Sequence, residues 1–332
     1  MTQGRPVSPH RRAALAAGLF LVGVVVIDVL LFPPAQVGVI LLSGLYQAML
    51  FFLVASGLAI IFGLLDVLNL AQGAFFMLGA YVGFGVYRLL GEGLALGLRF
   101  AAALLAALLI GGLLGALVER WLIRPLYVRP LFQIVLTLGL AMVIREAVRT
   151  LYGPAGLIPI QPPAPLRTTL TVLGAQFETY RVFIIGMGGG LMLATWLLLR
   201  RTRLGIIIRA GVEDREMVEA LGIPVGRVFT LAFALGSGLA ALGGMIAAPY
   251  IGAYPEMGDV FLLNAIIVVV LGGMGSFEGT MLASLLVGLT RATAEQISLE
   301  YLDTPLLASV SILLIMILVL LVRPSGLFGS EP

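Results

Sequence analysis

The chain has 332 residues, of which 60% are hydrophobic and only 11% are charged, whereas a soluble domain carries about 25% charged residues. A mean hydropathy of +1.11 excludes a soluble fold and predicts an integral membrane protein. The net charge of +3 comes from arginines spread over many loops, a pattern typical of a membrane protein in contact with lipid and not of nucleic-acid binding.

Ten apolar runs predict an all-α, polytopic transmembrane helix bundle, because each is close to the roughly 20 residues that cross a bilayer as a helix. Long continuous runs exclude a transmembrane barrel. The first could be a secretory signal, but it is nearly as long as a full span and no small-x-small cleavage pattern follows it, which favours an uncleaved anchor. The runs cover residues 13–32, 37–64, 73–90, 100–118, 132–152, 182–199, 228–248, 260–274, 280–297 and 305–322.

The arginine distribution gives the orientation, because cytoplasmic loops of membrane proteins collect basic residues. It predicts both termini in the cytoplasm, with residues 1–12 and 323–332 as tails of one membrane domain, 13–322. The external loops are poorer in arginine, although Arg99, Arg167 and Arg181 are exceptions. The predicted cytoplasmic segments contain Arg5, Arg11, Arg12, Arg120, Arg124, Arg129, Arg200, Arg201, Arg203, Arg209, Arg215, Arg227 and Arg323.

The longest predicted cytoplasmic loop, residues 200–227, contains a short helix over 213–221. Glu213 and Asp214 place negative charge at its N-terminus, and Gly222 ends it. At 1.5 Å per residue it is roughly 13 Å long, which suits a groove on a partner protein. The alternative is a helix on the lipid surface, but an anionic leaflet would repel its acidic side chains. The docking residues are predicted to be Glu213, Asp214, Arg215, Glu216, Met217, Ala220, Leu221 and Gly222.

Two polar or glycine-rich breaks, at residues 65–73 and 272–279, interrupt the apolar runs. Broken helices in transporters often surround the transport path, because exposed backbone groups need protein or water as partners. Tight cytoplasmic turns between ordinary helices are the alternative. The candidate pathway residues are Asn69, Gln72, Gly73, Gly272, Gly273, Gly275 and Ser276.

Missing residue types exclude several kinds of chemistry. The chain has no cysteine, one histidine (His10) and no lysine, which excludes thiol nucleophiles, Cys/His metal sites, a P-loop lysine and a Schiff base. We predict no catalytic residue, metal or cofactor in this chain. An intramembrane enzyme is therefore disfavoured. An ion-coupled carrier is also disfavoured, because charges in or near the spans are few: Asp28, Glu119, Arg145, Glu146 and Arg149.

Glycines at four-residue spacing predict close helix packing within the bundle. A dedicated homodimer seam is the alternative. The pairs are Gly79 and Gly83, Gly111 and Gly115, and Gly186 and Gly190.

Four blocks stand out along the chain. The first is GLAIIFGLLDVLNLAQGAFFMLGAY at 57–81. The second joins RAGVEDRE at 209–216 and LGI at 221–223 to FALGSGLAALGG at 233–244. The third and fourth are VLGGMGS at 270–276 and RPSGLFG at 323–329. In this order, the four blocks resemble those of branched-chain amino-acid ABC transporter permeases of the LivH type. The family often has histidine where this chain has Gln72, so no histidine role carries over, and capping and joining two helices is an alternative role for Asn69 and Gln72.

The resemblance implies the permease subunit of an ATP-driven importer in the bacterial plasma (inner) membrane. It implies a related permease subunit as partner, in a heterodimer or a homodimer, two cytoplasmic ATPase subunits that bind ATP and Mg²⁺, and an extracytoplasmic substrate-binding protein. The helix over 213–221 would be the coupling helix. Branched-chain or other aliphatic amino acids are the expected substrates, with urea, short amides, sugars or nucleosides as alternatives.

Overall fold

The computed structural model describes residues 9–65, 68–91, 93–156, 160–172, 174–213, 215–302, 304 and 306–329. Over these residues the chain forms twelve α-helices and a two-stranded sheet. The helices are α1 (Pro9–Leu31), α2 (Pro34–Leu65), α3 (Gln72–Leu89), α4 (Leu96–Val118), α5 (Pro130–Tyr152), α6 (Thr179–Arg201), α7 (Arg203–Glu213), α8 (Arg215–Ala220), α9 (Val225–Ile251), α10 (Met257–Gly272), α11 (Phe277–Ile297) and α12 (Leu306–Val322).

Each of the ten predicted apolar runs coincides with one helix, α1 to α6 and α9 to α12. Among the described residues, five helices are long and apolar enough to cross a membrane, or six if α10 and α11, which are bent by 118° at the second break, form one span. The helical bundle is therefore confirmed, whereas ten crossings and two cytoplasmic termini stay predictions.

The centre of the bundle is α9, which packs against α2, α3 and α4. Small residues allow this approach: a Cβ atom on Gly244 of α9 would lie 1.8 Å from the carbonyl oxygen of Phe76, and one on Gly79 of α3 would lie 1.9 Å from that of Ala241. These distances leave no room for any side chain, so α3 and α9 touch through their backbones.

The glycine prediction holds on α3 and α4 and is wrong on α6. On α4, a Cβ atom on Gly111 would lie 2.3 Å from the Cβ atom of Ala241. Gly186 and Gly190 of α6, in contrast, have no atom within 4 Å of an added Cβ. The same spacing therefore marks packed faces on two helices and an open face on the third, because α6 lies at the edge of this chain.

Three connections contain structure that the apolar pattern did not predict. Between α5 and α6 an antiparallel hairpin pairs β1 (Thr169–Val172) with β2 (Ala175–Glu178), with Thr169 opposite Glu178. After α4 the helix continues through a π-helical turn, Glu119–Ile123, and a 3₁₀ turn, Arg124–Leu126. A second π-helical turn, Ser298–Leu302, extends α11.

Candidate functional site

The predicted coupling helix is shorter than expected and is preceded by a helix that was not predicted. Instead of one helix over 213–221, the structure has α7, which ends at Glu213, and α8, which covers only Arg215–Ala220. Asp214 lies outside the described residues, as do the side chains of Glu213, Arg215 and Glu216. The helix ends at Ala220, one residue before the predicted end, and Gly222 beyond it adopts a φ of +79°, a conformation that favours glycine.

The side chains of α8 divide into an anchored and an exposed group. Val218 is only 3% exposed and belongs to an apolar cluster with residues of α2, α6, α7 and α9. Met217 and Leu221, four residues apart, are 58% and 70% exposed, and Ala220 is also exposed. The helix therefore presents an apolar surface to the outside while Val218 fixes it to the bundle. The cluster around Val218 also contains Ile60, Leu199, Ile208, Val225, Val228, Phe229 and Ala232.

A cavity of about 530 Å³ lies beside this cluster; it is named the inner cavity because the predicted orientation places it toward the cytoplasm. Ile60, Leu199 and Ile208 belong both to the cluster and to the cavity wall. Glu278 closes one side, since it pairs with Arg200 at 2.8 Å and accepts a 3.4 Å hydrogen bond from the Trp196 indole. A movement of α8 would therefore act directly on the wall of this cavity. The remaining lining residues are Ala59, Gly63, Arg209, Gly275, Ser276, Phe277 and Phe328.

The second break meets the end of α2 at the inner cavity. A Cβ atom on Gly63 would lie 3.3 Å from the carbonyl oxygen of Gly275, and the Ser276 hydroxyl accepts a 3.1 Å hydrogen bond from the Gly279 N–H as the N-cap of α11. Gly272 and Gly273 do not line the cavity. Gly272 packs against the start of α11 at Gly279, and Gly273 packs against the C-terminal segment at Gly329. Of the candidate pathway residues, Gly275 and Ser276 therefore face open space.

The first break holds helices together. Asn69 and Gln72 are buried; the Gln72 side-chain amide donates a 2.8 Å hydrogen bond to the carbonyl oxygen of Gly236 on α9, and Asn69 donates one of 3.3 Å to Gln72. A Cβ atom on Gly73 would lie 2.2 Å from the carbonyl oxygen of Gly258 on α10. These three candidates join α3 to its neighbours and line neither the inner cavity nor the outer cavity described below. Residues 66 and 67 of this break lie outside the described residues.

An outer cavity of about 250 Å³ lies beside the middle of α2, at the opposite end of α11 from the inner cavity. Arg291 and Glu295 of α11 line it, and the amide of Gln47 donates a 3.1 Å hydrogen bond to the Glu295 carboxylate. Arg291 was not among the residues predicted from the sequence, although an arginine inside the apolar run 280–297 is a recognisable sign of a functional residue. The other lining residues are Tyr46, Leu50, Phe51, Tyr250, Ile251 and Phe261.

Phenylalanines separate the two cavities. Phe51 lines the outer cavity and Phe277 lines the inner one. Phe52, which is fully buried, meets the Phe277 ring edge to face at 5.7 Å between centroids. Phe261 stacks on Phe76 at 4.3 Å. Aromatic side chains therefore lie between the outer and inner cavities.

The intramembrane acid Asp28 has a structural role. Its carboxylate is buried and accepts a 3.1 Å hydrogen bond from the Thr293 hydroxyl, which joins α1 to α11. Asp28 therefore faces the interior of the bundle.

A family model described as branched-chain amino acid transport system / permease component matches residues 40–321. The chain belongs to this family. It is therefore a permease component of a transport system, rather than an enzyme, and an integral multi-pass membrane protein.

Curated relatives agree along most of the chain. The high-affinity branched-chain amino acid transport system permease protein LivH of Escherichia coli (strain K12) is 30% identical, over 86% of this chain and 94% of its own. The BraD permease protein of such a system in Pseudomonas aeruginosa is 29% identical, over 87% and 94%. The autoinducer 2 import system permease protein LsrD of Salmonella paratyphi B is 29% identical, over 58% of this chain and 59% of its own.

Proposed function

We propose that this chain is one of two permease subunits of an ABC importer for branched-chain or other aliphatic amino acids in a bacterial inner membrane. Two cytoplasmic ATPase subunits bind ATP and Mg²⁺, and an extracytoplasmic binding protein delivers the substrate. The similarity to LivH and BraD supports this substrate class. The arginine-rich inner loops support ten crossings with both termini in the cytoplasm.

The observation that carries the coupling proposal is the division of α8 into an anchored and an exposed side. Leu221 and Met217 are the apolar residues offered to the ATPase groove, and Val218 transmits the movement to the bundle. The cluster around Val218 shares three residues with the inner cavity. ATP-driven closure of the ATPases would therefore displace α8 and change access to the cavity in one motion.

The proposed route follows α2 from the outer to the inner cavity, past Phe52 and Phe277. The rest of the route is closed by the related subunit. A heterodimer with an unlike permease is the proposed arrangement, and purification of the complex with its neighbours would give the stoichiometry.

The coupling proposal is tested with Leu221→Asp in the complete complex in proteoliposomes. A charge at the centre of a docking contact should lower ATP-driven leucine uptake by about tenfold or more, since loss of one such contact costs 1–2 kcal/mol or more. Val128→Asp is the matched control, because Val128 is an equally apolar side chain, 86% exposed, in the predicted cytoplasmic connection between α4 and α5. This variant should transport leucine normally. Full uptake by Leu221→Asp would contradict docking at α8.

Two further measurements separate the alternatives. Uptake driven by an ion gradient without the ATPases would indicate a secondary transporter. The similarity to LsrD makes a different solute the second candidate. Inhibition of leucine uptake by excess valine, but not by urea or ribose, would support the amino-acid assignment.

A further inference from the structure

We propose that the outer cavity is a transient binding site for the substrate zwitterion, in which Arg291 receives the carboxylate and Glu295 the ammonium group. This inference rests on the proposed amino-acid import and names the residues that would recognise the two charges shared by all α-amino acids.

Arg291 is a partly buried cation in an apolar bundle, and it is not paired with the nearby Glu295. It lies on α11, six residues before the helix ends at Ile297, where an unpaired charge is costly even when only part of it is buried. It forms no ion pair and donates no hydrogen bond to any other described residue, and its Nε is buried without a partner. Its guanidinium lies over the Phe51 ring at 5.6 Å. The donors of Arg291 therefore remain available to an anionic group.

Glu295 supplies the opposite charge at a suitable spacing. The two residues are four apart on α11, which places their Cβ atoms about 6 Å from each other on one helix face. They do not pair with each other; instead, Gln47 of α2 donates a 3.1 Å hydrogen bond to Glu295. A zwitterion between the two side chains would satisfy both charges at once.

The rest of the cavity suits a small aliphatic side chain. Its volume of about 250 Å³ is below the roughly 300–1,000 Å³ of pockets for drug-sized ligands. Leu50, Phe51, Ile251 and Phe261 provide apolar walls. The cavity therefore offers two charges at one side and apolar contacts at the other, as an amphiphilic amino acid requires.

A second arginine near the cavity is already engaged. Arg181 of α6 lies over the rings of Tyr46 and Tyr250 at 5.1 and 4.8 Å and pairs with Glu178 at 3.2 Å. It fixes the two tyrosines of the cavity wall. This leaves Arg291 as the cation for the substrate carboxylate.

The test measures binding of radiolabelled leucine to the purified complete complex without its binding protein. Leucinamide lacks the carboxylate and 4-methylpentanoate lacks the ammonium group, so each should compete about tenfold more weakly than leucine, the equivalent of one charge-assisted hydrogen bond. Arg291→Gln should lower leucine affinity by about tenfold and should no longer distinguish leucine from leucinamide. Glu295→Gln should likewise no longer distinguish leucine from 4-methylpentanoate.

Matched variants keep the result interpretable. Arg99→Gln removes an arginine that also lies over an aromatic ring, Tyr87, at 4.3 Å outside the cavity, and should bind leucine normally. Arg291→Lys keeps the charge and should recover part of the affinity. If Arg291→Gln does not fold, Arg291→Lys and Glu295→Gln carry the test through their analogue preferences.

Several outcomes would overturn the site. These are equal competition by leucinamide and leucine in the wild-type complex, unchanged leucine affinity in Arg291→Gln, or no specific leucine binding at millimolar concentration. ATP-driven leucine uptake with unchanged KM in both variants would reject the site and leave the proposed function intact. Failure of the wild-type complex to import any amino acid would instead reject the proposed function.

Discussion

The backbone N–H of Phe328 donates a 2.9 Å hydrogen bond to the carbonyl oxygen of Gly272, the last residue of α10. Leu327 donates an equal bond to Leu271. The final carbonyl groups of a helix lack partners within it, so the C-terminal segment satisfies two of them. Residues 323–329 therefore stabilise the end of α10 at the second break, which gives a structural reason for their similarity to permeases of this type.

Gly273→Ala should loosen this contact. Gly273 has a φ of +100°, and an added Cβ would lie 2.3 Å from the Gly329 nitrogen. The left-handed backbone alone costs about 1–2 kcal/mol for other residues, and the clash adds to it. We expect a lower thermal unfolding temperature and faster proteolysis of the C-terminal segment. Gly139→Ala, in open space on α5, should show neither effect; equal stability of the two variants would refute this prediction.

Gly244→Ala should impair assembly of α3 with α9. Its Cβ would lie 1.8 Å from the Phe76 carbonyl oxygen, and a backbone atom cannot rotate away. Overpacking of this kind costs about 1–3 kcal/mol. The measurement is the free energy of unfolding in detergent titration. Gly186→Ala makes the same change on the open face of α6 and should retain wild-type stability.

Glu119→Ala should be among the most destabilising changes at the predicted cytoplasmic end. The buried carboxylate pairs with Arg124 at 3.3 Å and accepts hydrogen bonds from Tyr127 and from Thr230, the latter at 2.5 Å. Removal takes the acceptor from the Arg124 Nε and the Tyr127 hydroxyl, whereas Thr230 keeps its hydrogen bond to the Gly226 carbonyl oxygen. Loss of a buried acceptor costs about 1–3 kcal/mol. Glu146→Ala removes an exposed carboxylate and should have little effect. Similar unfolding free energies for both would contradict the prediction.

The contact between α5 and α10 should weaken in acid. A hydrogen bond from Arg149 lowers the pKa of Glu256 below its ordinary value of 4.5. A lowered pKa in the folded protein means that the contact is fully present above pH 4.5 and is lost as the pH falls through the lower value. Spin labels at Met142→Cys and Leu263→Cys, both exposed, would measure the distance between the helices.

We expect a single narrow distance distribution at neutral pH and a broader one in acid. Arg145 of α5 also pairs with Asp259 of α10, so the double variant Glu256→Gln with Asp259→Asn should be broad at every pH, whereas Glu300→Gln, in the π-helical turn after α11, should retain the wild-type profile. A distribution that does not change with pH would show that these ion pairs do not hold α5 to α10.

The ten apolar helices could be predicted because bilayer thickness sets the length of each run. Helix α7 could not. Its two glycines, Gly205 and Gly211, lower intrinsic helix propensity, and the helix depends on tertiary contacts: Ile208 is buried, and a Cβ on Gly205 would lie 2.0 Å from the Leu199 carbonyl oxygen. The hairpin over 169–178 was likewise too short for its alternation to be recognised.

The candidate site was predictable only where it is local in sequence. The exposed pair Met217 and Leu221 follows from helical spacing, and the end of α8 follows from Gly222. The outer cavity combines residues of α2, α9, α10 and α11, and no local pattern indicates which helices meet. Only the chemistry of Arg291, a charge within an apolar run, is visible before the fold is known.

Along the proposed route, the phenylalanines between the two cavities would also act on ions when no substrate is bound. An ion that passes Phe52 and Phe277 would have to shed its water among aromatic rings, and narrow apolar constrictions block conduction in this way. An idle importer of this design would therefore not dissipate the ion gradients across its membrane.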